Sequence, residues 1–224
     1  MPAMSEGPTR VTDAHFRYLA ERTTPEDAFL RDLKAAASKA GIPPISIGPA
    51  QAAFMQILLR AARAKHVVEI GTLAGYSAIA MARALPPDGR VLTIEINPDH
   101  AAFAKEWIAK SDVAKRIAVH LGAGLDVLRT IPDRSADACF LDADKGSYRD
   151  YLAECLRILR PGGLVMADNA FAFGQLLDEH PTDRDVPHVR AFNDHVPTVE
   201  GLQSVIVPLG DGLWVGVLRP PGPP

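Results

Sequence analysis

The chain has 224 residues, 47% of them hydrophobic and 23% charged, which fits one large globular domain and excludes a disordered chain. Lysine and arginine total 24 against 27 acidic residues, a formal charge of −3 with no basic block, so a nucleic-acid partner is not expected. No apolar run reaches the ~18 residues of a membrane span, residues 1–10 hold no apolar signal core, and the 2 cysteines, Cys139 and Cys155, lie in apolar runs as reduced core thiols, so the expectation is a soluble cytoplasmic protein that does not bind membranes.

A single domain is expected over 1–224, with loose ends at about 1–10 and 219–224, where Pro2, Pro8 and the Arg219-Pro220-Pro221 run oppose helix and ladder. Thr24-Pro25-Glu26-Asp27 predicts a helix start, with Thr24 as cap, Pro25 at the first position and acids at the positive end of the dipole. That helix runs through Leu30, Leu33 and Ala37 and stops at Gly41. A second follows Pro49 through Phe54, Ile57 and Leu58. From Lys65 onward short apolar runs appear at 66–70, 90–94, 117–121, 136–141 and 163–167, apolar on both faces as buried parallel strands are. Helical stretches at 77–85, 98–110 and 148–159 alternate with them, which predicts a parallel sheet with right-handed crossovers. Two last strands, 202–209 and 213–218, flank Gly210-Asp211-Gly212 as an antiparallel hairpin. The fold class is therefore α/β: a doubly wound, mostly parallel seven-stranded sheet with a C-terminal antiparallel hairpin and helices on both faces.

Residues 67–75, Val-Val-Glu-Ile-Gly-Thr-Leu-Ala-Gly, read as a strand, a glycine turn and a helix start. Gly71 permits a sharp turn and close backbone approach to a ligand. Glu95 ends the next strand 24 residues later, where a carboxylate can accept both hydroxyls of a ribose. The G-x-x-x-G spacing is not the dinucleotide fingerprint, and a tight strand–helix turn with no ligand would use the same residues. Glu69, an acid at the end of a buried strand, calls for a cationic or hydroxyl-bearing partner. S-adenosylmethionine offers both, whereas a pyrophosphate would be repelled.

Two further strands end in acids, as Leu141-Asp142-Ala143-Asp144-Lys145 and Ala167-Asp168-Asn169. Neighbouring strands of such a sheet end at one rim, so Asp142, Asp168 and Asn169 would converge there. Two carboxylates that close raise each other's pKa unless a cation lies between them, and hard oxygen donors suit Mg²⁺, Mn²⁺ or Ca²⁺ better than zinc. Three protein oxygens leave three of six octahedral positions for a chelating substrate and a water. The bland readings are that Asp168-Asn169 forms a turn, that Asp144 caps a helix or faces solvent, and that Lys145 is solvated. The 7 histidines show no metal-ligand spacing, and His180, Asp183, Asp185 and His188 read as an exposed lid.

With these residues in view the chain resembles the cation-dependent O-methyltransferases, the caffeoyl-CoA and catechol O-methyltransferase family, from about Ile45 to Leu218. The carriers are VVEIGTLAGYSAIAMA (67–82), TIEINP (93–98), Gly122-Ala123, FLDADKGSY (140–148), LRPGGLVMADN (159–169) and PLGDGL (208–213). The resemblance implies the class I methyltransferase fold, S-adenosylmethionine as methyl donor, a divalent cation (Mg²⁺ first, Mn²⁺ or Ca²⁺ otherwise), an aromatic diol as acceptor and a homodimer. It places Glu69, Gly71, Thr72 and Ser77 on the methionine part of the donor, Glu95 on the ribose, Ala123 beside the adenine and Ile47 against the cofactor. It makes Asp142, Asp168 and Asn169 the metal ligands, with Asp142 also touching the cofactor, and Lys145 the general base. Two segments depart from the family: Ala50-Gln51-Ala52-Ala53 replaces an acidic Glu-Gly-Gln stretch, and Ala170-Phe171-Ala172-Phe173 replaces a segment that often holds tryptophan. Residues 1–44 and 170–199 are expected to shape the acceptor pocket. The alternatives are an NAD-dependent oxidoreductase on a similar sheet, opposed by the missing fingerprint and the hairpin, and a non-catalytic S-adenosylmethionine-binding protein, opposed by the intact acidic set.

Overall fold

Apolar runs of five or six residues can be buried on both faces only inside a sheet covered by helices, and the strands form accordingly. The computed structural model describes residues 11–220. In it β1 (His66–Ile70), β2 (Arg90–Glu95), β3 (Ile117–Leu121), β4 (Ala136–Leu141) and β5 (Leu159–Ala167) pair in parallel. Of the hairpin strands β6 (Leu202–Val207) and β7 (Leu213–Leu218), β7 lies antiparallel to β5, giving a seven-stranded order β3-β2-β1-β4-β5-β7-β6 among the described residues. The chain winds outward from β1 to β3 and then crosses to β4, so β1 and β4 flank the switch point where such sheets bind ligands.

Side chains alternate between two cores, as the two-residue strand period requires. Val67, Phe140 and Met166 face Leu33, Met55, Leu59, Ile79 and Met81 from α2 (Ala28–Lys39), α3 (Pro49–Ala61) and α4 (Tyr76–Ala84), with α5 (Pro98–Lys110) beside them. Val68, Cys139, Leu141 and Val165 face Leu152, Cys155 and Phe192 from α7 (Tyr148–Ile158) and α8 (Val186–His195), with Leu128 of the short α6 (Gly124–Leu128). Each such buried side chain contributes about 1.5–3 kcal/mol. Both cysteines are free and buried, and no helix among the described residues is long and apolar enough to cross a membrane.

Several expectations need correction. α2 begins at Ala28, capped by the Asp27 carboxylate accepting from Leu30 N at 3.1 Å, because Glu26 is drawn away to the Tyr76 hydroxyl (2.7 Å) and Lys34 (2.6 Å). The expected cap Thr24 lies outside the helix. An additional helix, α1 (Asp13–Ala20), precedes it with no buried residue. β3 is the sheet's edge and is half-buried or exposed along its length, so its apolar run is not sandwiched. β5 starts at Leu159, through a register irregularity opposite Ala136 and Ala138. Arg219 is not loose, since its amide donates to Gly201 O at 2.7 Å, while the expected loose ends at 1–10 and 221–224 lie outside the described residues.

Candidate active site

At the C-terminal ends of β1, β2 and β4 lies a cavity of about 460 Å³. Of the residues singled out for the cofactor, Ile47, Gly71, Thr72, Ser77, Glu95, Ala123 and Asp142 line it. Glu95, 7% exposed, organises its floor: Oε2 accepts the amides of Thr72 (3.2 Å) and Leu73 (2.8 Å), and Oε1 accepts the amide of Asn97 (2.9 Å). A carboxylate has about four acceptor positions, so one remains for a ligand hydroxyl. The glycine turn is thus braced by the acid of the neighbouring strand, with the Thr72 and Thr93 hydroxyls 2.6 Å apart beneath it.

Gly71 makes the sharp turn the sequence suggested and lines the cavity, and it is required for a further reason as well. Its φ is +99°, and a Cβ there would fall 1.9 Å from the Asp142 carbonyl oxygen. The close approach is therefore to the exit of β4, and it brings the glycine turn against the first of the acidic tips.

Glu69 is fully buried, does not line the cavity, and neither carboxylate oxygen has a hydrogen-bond partner. Burial pushes its carboxyl up to about 8; the nearby Ser77 and Thr93 hydroxyls favour the ionised form but stand outside bonding geometry. Of these two hydroxyl residues Ser77 also lines the cavity. An unpartnered buried carboxyl is a costly arrangement unless something positive is meant to approach it.

The second acidic group sits on the β4 and β5 tips. Lys145, 6% exposed, donates to the Tyr148 hydroxyl at 2.5 Å and lies 3.4 Å from Asp142 Oδ1. Tyr148 is anchored in turn, its hydroxyl 3.2 Å from Leu141 O, and burial holds it neutral by raising its pKa well above the phenol range. Asp168, 7% exposed, accepts from Gln51 Nε2 at 2.8 Å. Burial, and then the charge of Asp142, raise its carboxyl to about 6 against the opposing pull of Gln51. Burial raises Asp142 too, with Lys145 opposing. The lysine pairs with Asp142 and with no other carboxylate among the described residues, so its charge sits on one flank of the acidic pair.

Asn169 adopts a left-handed backbone, φ +64°, and its Nδ2 donates to Asp211 Oδ2 at 3.1 Å, leaving its amide oxygen unused by that bond. Asp211 also accepts the amides of Phe173 (2.8 Å) and Gly174 (3.2 Å), and the Ala170 amide reaches Gly212 O at 2.8 Å. The hairpin turn thus fixes the segment that follows β5. The buried Asp168, the half-buried Asp142 and an asparagine oxygen make a hard-donor set that fits a divalent cation. No group of three or more His, Cys, Asp or Glu capable of holding a metal occurs among the described residues.

Residues absent from the sequence reading also contribute. Asp144, read as a cap or solvated neighbour, is indeed exposed at the N-cap position of the short 3-10 helix Lys145–Ser147, and it also lines the cavity and accepts the Tyr151 hydroxyl at 2.6 Å. Tyr148 is signalled only by its place three residues after Lys145, and Gln51 only as a polar residue in an apolar helix start. The polar cluster 180–188 stays off the cavity: Asp183 accepts the Asp185 amide at 2.8 Å, and His180 and His188 are exposed.

The description "O-methyltransferase" belongs to the family model that matches residues 20–218. The catechol O-methyltransferase of Niastella koreensis is 40% identical over 179 residues, covering 79% of this chain and 81% of that protein. Among solved structures, the O-methyltransferase from Bacillus cereus in complex with SAH superposes with a TM-score of 0.82 at 29% identity, over 92% of this chain and 97% of that one. The O-methyltransferase TomG from Streptomyces achromogenes, involved in tomaymycin synthesis and in complex with SAM, gives 0.79 at 30% identity, over 91% and 95%.

Proposed function

The chain belongs to the O-methyltransferase family, and from that premise we propose that it transfers the methyl group of S-adenosylmethionine to one hydroxyl of a vicinal dihydroxy aromatic compound, assisted by a divalent cation. The hard oxygen donors suit Mg²⁺, Mn²⁺ or Ca²⁺ alike, and the family resemblance puts Mg²⁺ first. The observation that carries this reading is that Asp142, which lines the cavity floored by Glu95, has Asp168 and Asn169 on the adjacent strand tip. Family membership leaves no place for the oxidoreductase alternative.

Each residue's part follows from its surroundings. Glu95, already braced by three amides, offers its remaining acceptor position to a ribose hydroxyl. Glu69 would lose its proton when an ammonium or sulfonium charge enters the neighbouring cavity, turning an unfavourable buried acid into a charge partner. Asp142, Asp168 and the Asn169 amide oxygen would hold the cation. When bound, that ion supplies Lewis-acid charge that favours the ionised form of the acceptor hydroxyl. Lys145 Nζ, steadied by the Tyr148 hydroxyl, would act as the base in its free amine form, after releasing its own proton to solvent, and would then hold the proton that the acceptor hydroxyl gives up. The walls serve orientation: holding two reactants in line supplies up to ~7–11 kcal/mol in favourable cases.

The test is turnover of a catechol panel with S-adenosylmethionine, with added Mg²⁺ and with EDTA. Methylated product that depends on the ion is expected. Turnover unchanged by EDTA would refute the cation, and no product from any catechol would refute the acceptor class.

A further inference from the structure

α3 opens with Gly48 as N-cap and Pro49 at its first position, which makes Gln51 the third helical residue. A glutamine there commonly turns back to cap its own helix, but the glycine has no side chain with which to reciprocate. Gln51 reaches instead across 117 positions of sequence to Asp168, Nε2 to Oδ1 at 2.8 Å, with both residues buried. Its far side is fixed as well. Gly210, at φ +61°, lies so close that a Cβ would come within 2.4 Å of Gln51 Oε1. The amide is therefore wedged between the hairpin turn and the strand tip, with its NH₂ end aimed at the carboxylate.

We infer that Gln51 is a positioning residue for the proposed cation site, an inference that rests on that site. It occupies Oδ1 of Asp168 with a neutral donor and leaves Oδ2 for the ion. Neutrality matters, because a lysine at this position would compete with the cation and an acid would add repulsion to a pair whose charges already oppose each other. Outer partners of this kind hold a ligating carboxylate at the angle the ion needs, and their loss typically weakens metal affinity 10–100-fold. The same segment carries Ile47, which lines the cofactor cavity four residues earlier, so α3 and its lead-in span both halves of the site. The departure from the family's acidic stretch thus falls on a residue with a definite task.

Mn²⁺ titration followed by the EPR signal of the free ion measures this directly, using the whole protein, Gln51→Met and Gln51→Asn. The methionine keeps the volume without a donor, and the asparagine keeps the amide but falls a methylene short. The Kd for Mn²⁺ should rise roughly 10–100-fold in the folded variants, while the Kd for S-adenosylhomocysteine measured without metal stays within about twofold. Should Gln51→Met unfold, Gln51→Asn reads the same quantity, with folding checked by Tm. Mn²⁺ affinity within twofold of the parent, or parallel weakening of both ligands, overturns the role of Gln51 while leaving the cation site standing. A parent protein that binds no Mn²⁺ overturns the cation site and this inference together.

Discussion

Glu69→Gln removes a titrating proton from a fully buried position while keeping the side chain's shape. Burial holds this carboxyl near 8 against an ordinary 4.5, so the folded chain keeps a proton that the unfolded chain gives up between those values. The sign follows from linkage. The folded state binds more protons across that window, so the group's contribution is most favourable below 4.5, declines as pH rises, and levels off above 8. At about 1.4 kcal/mol per pH unit, the decline between pH 5 and pH 8 is about 3 kcal/mol, and the glutamine variant is exempt from it. For a chain of this size ~2–4 °C of Tm accompanies each kcal/mol. Ligand-free Glu69→Gln protein should therefore gain roughly 6–12 °C on the parent between those two pH values. Differential scanning fluorimetry of both proteins in one buffer series reads the difference, and other titrating groups cancel in it. The parent's affinity for S-adenosylhomocysteine should meanwhile strengthen with pH more than the variant's, since the ligand's ammonium group favours the ionised carboxyl. A Tm difference that stays flat from pH 5 to pH 8 would mean that Glu69 is already ionised in the folded chain, and the reasoning would fail.

Lys145→Ala should lower kcat by roughly 10²–10⁴ with the Kd for S-adenosylhomocysteine nearly unchanged, because the amine touches Tyr148 and Asp142 and is absent from the cavity lining; an alanine variant at full rate would take the lysine out of the mechanism. Gly71→Ala meets both a left-handed backbone and the Asp142 carbonyl, so urea unfolding should show a loss of several kcal/mol or no folded protein. A midpoint close to the parent's would show that the turn can move aside.

The sheet was legible because burial on both faces leaves an unambiguous trace: unbroken apolar runs that end in Glu95, Asp142 and Asp168. The site was legible for the same reason, since an acid at the end of such a run has few structural excuses. What escaped depended on contacts between residues far apart in sequence. Asp27 caps α2 because Glu26 is engaged by a tyrosine 50 residues away. Gln51 answers to Asp168 across 117, and Gly71 to a carbonyl on another strand. Glu69 was legible as an acid in need of a partner, but not as one buried off the cavity wall, because depth has no periodicity. β3 misled because an edge strand can be apolar and still lack a second neighbour.

The ties from Asp211 and Gly212 to residues 169–174 carry a consequence for how the protein comes into being. A ribosome releases the hairpin after all five parallel strands, so the nascent chain can wind its sheet and close its nucleoside-sized hollow while the β5 tip still dangles. Asn169 and the wedge around Gln51 take their final shape only when Gly210, Asp211 and Gly212 arrive. Completion of the acidic tips thereby waits on the hairpin, and a variant that lacked it would keep the parallel strands while losing the clasp over its acids.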